Sequence, residues 1–430
     1  MKHDKHIHFR KIALKRELSL WQTTMMGIGI IIGAGIYALL GKAAGMAGNG
    51  IWISFIVAAF VAALTGLSYA ELSSIFPKAG AEYVYTKKAF GRRLAFLVGW
   101  LIIIGGIIAS ATVALGFAGY FFSLSGIPII PVAIVIILLM SLIIFLGIKQ
   151  SASVAIVCTI VEIAGVLLII FVGLPYFGSI DYFEIPSSAG VLSAAALIFF
   201  AFIGFEEISR LSEETKKPTK TIPKALVLSI VITTIIYILV AVSAVSILGW
   251  QKLSSSSSPM SDVASAALGS DAFLMLTIIA LFSTSNTVLL LLLATSRITY
   301  GMAQQRSLPK SFGRVSKKTR TPWVAIIIIG IFSLFFVFFE KIEMVANAAN
   351  FTIFVTFAVI NLSVIRLRYS NKKKRGFRVP LNIGKFPVLP LLGAAASLIM
   401  IAGISLDIIA AGIVIIIIGL LVGEKWGMKR

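Results

Sequence analysis

Apolar and polar positions along the chain fall in long blocks, with apolar runs of some twenty residues separated by short polar, base-rich segments. A helix rising 1.5 Å per residue needs about 20 residues to cross a hydrocarbon core. Twelve stretches reach or approach that length: 20–44, 50–76, 94–122, 128–148, 152–175, 189–212, 222–248, 272–304, 322–339, 342–367, 387–405 and 408–424. Residues 387–424 read almost continuously, and only Ser405-Leu406-Asp407 marks a turn, so the pattern also accommodates ten or eleven spans.

Composition turns these runs into membrane spans. Of the 430 residues, 59% are apolar and 13% charged, against about 45–50% and about 25% in a soluble domain. A water-facing shell cannot cover that much apolar surface, and a disordered chain or disulfide scaffold is excluded too. The net charge of +21 is explained by its placement. With the N-terminus inside, 35 of the 38 basic residues fall on the inner side, and Lys42, Lys252 and Lys341 alone remain outside. The positive-inside rule then predicts a multi-pass protein of the cell (plasma) membrane with both termini cytoplasmic. The basic surplus, Lys372-Lys373-Lys374-Arg375 included, faces anionic lipid head groups and implies no nucleic acid partner. Residues 1–19 are polar and the first span is too long for a signal-peptide core, so no cleaved leader is expected. The single Cys158 lies within a span, and His3, His6 and His8 all lie in the N-terminal tail. That leaves no intramembrane histidine–metal site and no Ser-His or Cys-His pair. The sequence therefore predicts no enzyme and no cofactor.

Two spans are interrupted. The first contains Gly27-Ile28-Gly29-Ile30-Ile31-Ile32-Gly33-Ala34-Gly35 at mid-span, and each glycine costs a helix about 1 kcal/mol relative to alanine. The sixth carries Phe199-Phe200-Ala201-Phe202-Ile203-Gly204-Phe205-Glu206-Glu207, with two carboxylates inside an apolar run. Irregular backbone and charge at this depth are tolerated only where protein or a wet cavity satisfies them. The first span enters from inside and the sixth from outside. Units of five spans, each opening on an interrupted helix, then have opposite topology, the pattern of an inverted-repeat secondary transporter with a midplane site.

Five stretches, in order, resemble the amino acid permeases of the amino acid–polyamine–organocation superfamily over nearly the whole chain. They are Gly29-Ile30-Ile31-Ile32-Gly33-Ala34-Gly35-Ile36; Phe76-Pro77-Lys78-Ala79-Gly80-Ala81-Glu82-Tyr83-Val84-Tyr85 with Phe90-Gly91 and Gly99-Trp100; Phe199 to Glu206 with Glu213-Glu214, Pro218 and Pro223; Ser296-Arg297 with Tyr300-Gly301-Met302, Leu308-Pro309 and Thr321-Pro322-Trp323; and Phe377-Arg378-Val379-Pro380. The resemblance implies an all-α, LeuT-type five-plus-five inverted repeat, with broken helices 1 and 6 and two appended C-terminal helices. The repeats are residues 20–175 and 189–367, followed by spans in 387–424 and a cytoplasmic C-terminus at 425–430. It also implies amino acid transport, with the substrate carboxylate on amides of Ile32, Gly33, Ala34 and Gly35 and the ammonium on carbonyls near Phe200, Ala201 and Phe202, beside Gly204. Phe200 takes the place of an aromatic lid. Free amides at a half-helix N-terminus do form an anion site.

Three departures bear on substrate and coupling. Gly105 and Gly106 stand where some cation-selective relatives have an acid, which points to neutral substrates. Glu162 stands where some proton-coupled relatives have a lysine. Ser283, Thr284 and Ser285, followed by Asn286, lie near where sodium-dependent relatives bind their ion.

Glu162 lies about 15 Å into the fifth span by helical rise. A charged acid there costs about 2.5–3.5 kcal/mol unless it is protonated, paired or ion-bound. It is the candidate proton-coupling residue, with sodium ligation or a structural hydrogen bond as alternatives. Glu206, directly after the second break, is either a second coupling group or a cap on freed amides. Glu71 and Glu207 are expected to pair with a base such as Arg297 in an inner gate. Residues 78–91 read as an amphipathic cytoplasmic helix, and Ser254–Ser258 as a flexible outer loop. Asn347, Asn350 and Thr352 line the outer pathway or bond between helices. The predicted function is proton-coupled symport of a neutral amino acid, with sodium coupling or exchange as alternatives and an amino acid sensor as the non-transport reading.

Overall fold

The computed structural model describes residues 18–77, 81–213, 215–371 and 373–426, without side-chain detail at 148–156, 213, 425 and 426. The tail histidines His3, His6 and His8, Lys78, Glu214, Lys372 and residues 427–430 lie outside the described residues. The chain is helical almost throughout: α1 Leu20–Ile31, α2 Ala34–Ala47, α3 Ile51–Ile75, α4 Ala81–Phe90, α5 Arg92–Ser125, α6 Ile129–Leu146, α7 Ile148–Gly173, α8 Ser188–Ile198, α9 Glu207–Arg210, α10 Pro218–Leu248, α11 Trp250–Ser255, α12 Pro259–Leu268, α13 Ser270–Gln304, α14 Trp323–Val337, α15 Ile342–Ser370, α16 Val388–Ile401 and α17 Leu406–Trp426. A two-stranded hairpin, β1 Asn382–Ile383 with β2 Phe386–Pro387, precedes α16.

Among the described residues, nine helical stretches are long and apolar enough to cross a membrane, and α1, α14 and α16 are shorter apolar helices. Their outward faces are bare hydrocarbon: Val135 and Leu138 on α6, Ile160 and Phe171 on α7, Ile331 and Phe335 on α14, and Leu398 on α16 are all exposed. Apolar patches of that extent are not left facing water. The chain is a polytopic membrane protein.

Local chemistry sets the boundaries. Ser19 and Gln22 form a reciprocal capping box that starts α1. Gly147 (φ 140°) separates α6 from α7 at a corner that only glycine adopts readily. The apolar stretch 387–424 divides at residues 402–405, between α16 and α17. α4 buries Ala81, Glu82, Tyr85 and Thr86 against the bundle, while Lys88 is exposed on its other face. The serine run differs from the flexible loop expected. Ser254 and Ser255 end α11, Ser256 donates to the Asp262 carboxylate, and buried Ser258 precedes α12. Asp262, a turn into α12, supplies the acceptor that fixes the run.

In the bundle α3 packs along α10, and α5 lies between α13 and α15. α1 rests on α10, whereas α2 rests on α8. The two halves of the first span thus have different partners, which is what a break between them permits. The largest buried side chains, among them Phe55, Phe199, Phe202, Phe205, Tyr237 and Phe357, surround this region as edge-to-face and tilted aromatic pairs.

Candidate functional site

The first span leaves helical geometry at Ile32 (ψ 104°) and Gly33 (φ −152°, ψ −157°) and resumes at Ala34. The sixth passes from α8 into a 3-10 turn, Phe199–Phe202, then through Gly204 (φ 120°) into α9. The two interruptions touch. A Cβ on Gly35 would lie 2.5 Å from Ala201 Cα, and one on Gly204 would lie 3.0 Å from the Ile30 carbonyl oxygen. Both positions require glycine, Gly204 for its φ as well.

Carbonyls freed at the two breaks are gathered by one side chain. The Tyr237 hydroxyl, on α10, lies 2.7 Å from the Ile31 oxygen and 2.9 Å from the Ala201 oxygen and donates between them. Asn350 on α15 donates to the Ala196 and Leu197 carbonyls at the end of α8, at 2.7 and 3.1 Å, which is the interhelical alternative for that residue. Tyr237→Phe leaves two buried carbonyls without this donor. It is expected to lower stability by about 1–3 kcal/mol, read from thermal unfolding in detergent; an unchanged unfolding temperature would show that the bridge contributes nothing.

The amides nominated for an anion are not equivalent. Ile32 N–H donates to the Ile28 carbonyl at 2.8 Å, and Ala34 N–H donates to Thr287 Oγ1 on α13 at 3.0 Å. Two of the four donors are therefore committed within the protein, and a third, Gly33 N–H, faces the Tyr237 hydroxyl. Thr287 and Tyr237 escaped the sequence reading because each lies far along the chain from the break it serves. Phe200 and Phe202 are buried in the 3-10 turn, and Phe200 O accepts from Ile203 N–H.

Glu162, on α7, has no solvent exposure, and neither carboxylate oxygen has a hydrogen-bond partner. Ser283 and Asn286 of α13 and Thr159 of α7 are its polar neighbours, but they stand outside hydrogen-bond geometry. Ser283 Oγ and Asn286 Oδ1 are likewise without partners, while Asn286 Nδ2 donates to Thr159 Oγ1 at 3.3 Å. The cluster adjoins the first break: Tyr37 on α2 donates to the Glu162 backbone carbonyl at 2.7 Å, and Gly29 on α1 lies against Thr159. Of the three hydroxyls proposed for an ion, only Ser283 belongs here. Thr284 bonds back to the Ala280 carbonyl and Ser285 to that of Phe282, within their own helix.

Glu206 makes a contact of the kind its capping alternative describes. Its Oε2 accepts from Gly204 N–H at 2.9 Å and holds the turn that follows the second break. The gate acids have bases other than the expected Arg297. Glu207 pairs with Arg210, which also reaches Glu82 at 3.1 Å, and Tyr69 donates to Glu82. Glu71 meets Arg368 and Arg375. Arg210 was legible as the i+3 neighbour of Glu207, whereas Arg368 lies nearly three hundred positions from Glu71 and no local pattern links them.

Comparison with known proteins decides the family. The family model described as "Amino acid permease" matches residues 18–422. The chain belongs to the amino acid permease family. The permease is 33% identical to the branched-chain amino acid permease BcaP of Bacillus subtilis (strain 168), over 97% of this chain and 94% of that one. It is 32% identical to the methylthioribose transporter of the same organism, over 90% and 88%. It is 29% identical to the vacuolar cationic amino acid transporter 4 of Arabidopsis thaliana, over 83% and 64%. The permease is thus a member of a transporter family rather than an enzyme family.

Proposed function

We propose that this permease carries a neutral amino acid across the plasma membrane by proton symport and alternating access. Residues 20–175 and 189–367 form two inverted five-span repeats, followed by two spans in 387–424, and both termini, 1–19 and 425–430, are cytoplasmic. The observation that carries the transport reading is the contact between two interrupted helices, Gly35 against Ala201, with Tyr237 bridging their carbonyls. A substrate carboxylate is held by the amides of Gly33 and Gly35. Its ammonium competes with Tyr237 for the Ala201 carbonyl, and Phe200 and Phe202 cover it. Glu162 supports proton coupling, because a carboxylate in full burial without a hydrogen bond is carried neutral or beside a cation. Ser283 and Asn286 add two oxygens beside it, which favours sodium as the second reading. Arg210 with Glu82 and Glu207 forms the inner barrier, where α9 meets α4.

The test is uptake into proteoliposomes of labelled leucine, isoleucine, valine, alanine, lysine and methylthioribose, a set widened by the relatives' substrates. An inward proton gradient, an inward sodium gradient and neither are compared. Accumulation of a neutral amino acid under the proton gradient alone is the expected result. Sodium dependence moves the ion to Glu162 and Ser283, flux only with amino acid preloaded inside makes the protein an exchanger, and binding without flux makes it a sensor. Transport of methylthioribose alone would overturn the amino acid reading, since that molecule has no zwitterion for the two breaks to hold.

A further inference from the structure

We propose that the cavity lined by α2, α5 and the start of α15 is a docking site for a zwitterionic amino acid, where Lys42 takes the carboxylate and Glu343 the ammonium before the substrate passes the α2–α5 seam. This deepens the transport reading and rests on it. The cavity has a volume of about 720 Å³, within the range of small-molecule sites. Its charge content is out of proportion to its surroundings. Lys42, Lys252 and Lys341 are the basic residues that the charge pattern leaves outside, and two of them, Lys42 and Lys341, line this cavity with Glu340 and Glu343.

Lys42 Nζ and Glu343 Oε1 lie 3.5 Å apart, with side chains 36% and 32% exposed. A pair so accessible to water contributes little and is readily parted. A zwitterion parts it without leaving either charge unmatched, whereas an ion of one sign would strand one partner. That balance selects the ligand class. The apolar lining selects apolar side chains: Ala38, Gly116, Phe122 and Ile342 share the cavity wall with the pair. A Cβ on Gly116 would lie 2.7 Å from Ala38 Cβ and 3.5 Å from Ile342 Cδ1, so α2 rests on α5 with no side chain between them. Ala38 is one helical turn from Lys42. A docked amino acid thus stands directly above the α2–α5 seam and separates α2 from α15 at their ion pair. α2 is the second half of the broken first span, so docking and opening act on the same element.

The experiment measures KM from each face separately, in intact cells and in inverted vesicles from a host deficient in uptake of the chosen amino acid, here leucine. Lys42→Gln and Glu343→Gln are each expected to raise KM at the cavity face five-fold or more, with KM at the opposite face and maximal exchange within two-fold of wild type. The charge-exchanged double variant, Lys42→Glu with Glu343→Lys, still offers one acid and one base and is expected to bring KM back within two-fold. Leucine amide, which lacks the carboxylate, is expected to compete poorly with leucine at the cavity face of the wild type. Unchanged KM at the cavity face in both single variants overturns the docking site while transport stands. An equal rise at both faces does the same, by showing a structural effect. If the wild type moves no amino acid, the transport reading fails first and the docking site falls with it.

Discussion

Replacing Glu162 with glutamine is expected to abolish gradient-driven accumulation while leaving exchange of amino acid across the membrane intact. One proton carried per substrate converts an inward gradient of one pH unit into about tenfold accumulation, because 1.4 kcal/mol is a factor of ten in an equilibrium. The variant should therefore fall from about tenfold to no accumulation at that gradient. Glutamine keeps the shape of the neutral carboxyl among the same polar neighbours, Thr159, Ser283 and Asn286. Unfolding stability should accordingly change by no more than about 1 kcal/mol, which separates loss of coupling from loss of fold. Glu162→Asp keeps an ionisable group and should keep some accumulation. The link from Glu162 to the transport cycle is short: Tyr37 ties the Glu162 backbone to α2, and Gly29 ties Thr159 to α1. A proton taken up here is felt on both sides of the first break. Glu162→Gln with wild-type accumulation at every pH would reject the coupling role, and accumulation that follows sodium in the wild type would transfer it to that ion.

What the sequence disclosed and what it hid follow from the range of the forces involved. Apolar runs are written locally, so the helical segments were legible from hydropathy, as was a helix within 78–91, where α4 spans Ala81–Phe90; the turn read at Ser405-Leu406-Asp407 falls at 402–405. Glycine clusters and a polar pair in an apolar run are also local, and they marked the stretches Gly27–Gly35 and Phe199–Glu207, within which the structure breaks the helices at Gly33 and Gly204. Partnership across the bundle is not local. Nothing near Ala34 announces Thr287, nothing near Ala201 announces Tyr237, and nothing near Glu71 announces Arg368. Glu206 shows the same limit in reverse. Sequence marks it as an intramembrane acid, but does not disclose that its carboxylate folds back two residues to the Gly204 amide. Glu162 kept its distinction because the residues around it leave its oxygens unsatisfied.

Glu71→Gln is expected to destabilise the protein by about 3–5 kcal/mol, the range for breaking a buried ion pair from one side. The carboxylate is the common acceptor of four donors: Arg368 Nε at 2.9 Å, Arg368 Nη2, Arg375 Nε at 3.0 Å and Val379 N–H at 2.8 Å. Its side chain is 1% exposed and that of Arg368 is 3% exposed. An amide offers these donors one oxygen and turns its own NH2 toward a guanidinium, leaving a buried charge without a counterion. At about 2 °C per kcal/mol, the unfolding temperature in detergent should fall by roughly 6–10 °C. Replacing both partners, Glu71→Met with Arg368→Met, removes the stranded charge and should recover part of that loss, since the 17%-exposed Arg375 can turn toward water. An unfolding temperature within 2 °C of wild type for Glu71→Gln would show that the network contributes nothing to the fold. A gate must open in every cycle, and opening this site would strip a fully buried carboxylate of four hydrogen bonds. The network joins α3 to the last turn of α15 and to the segment leading into the hairpin. Arg210 and Glu82, at 15% and 5% exposure, join α9 to α4 through a contact with more access to water, and under the proposed cycle that contact is the inner gate.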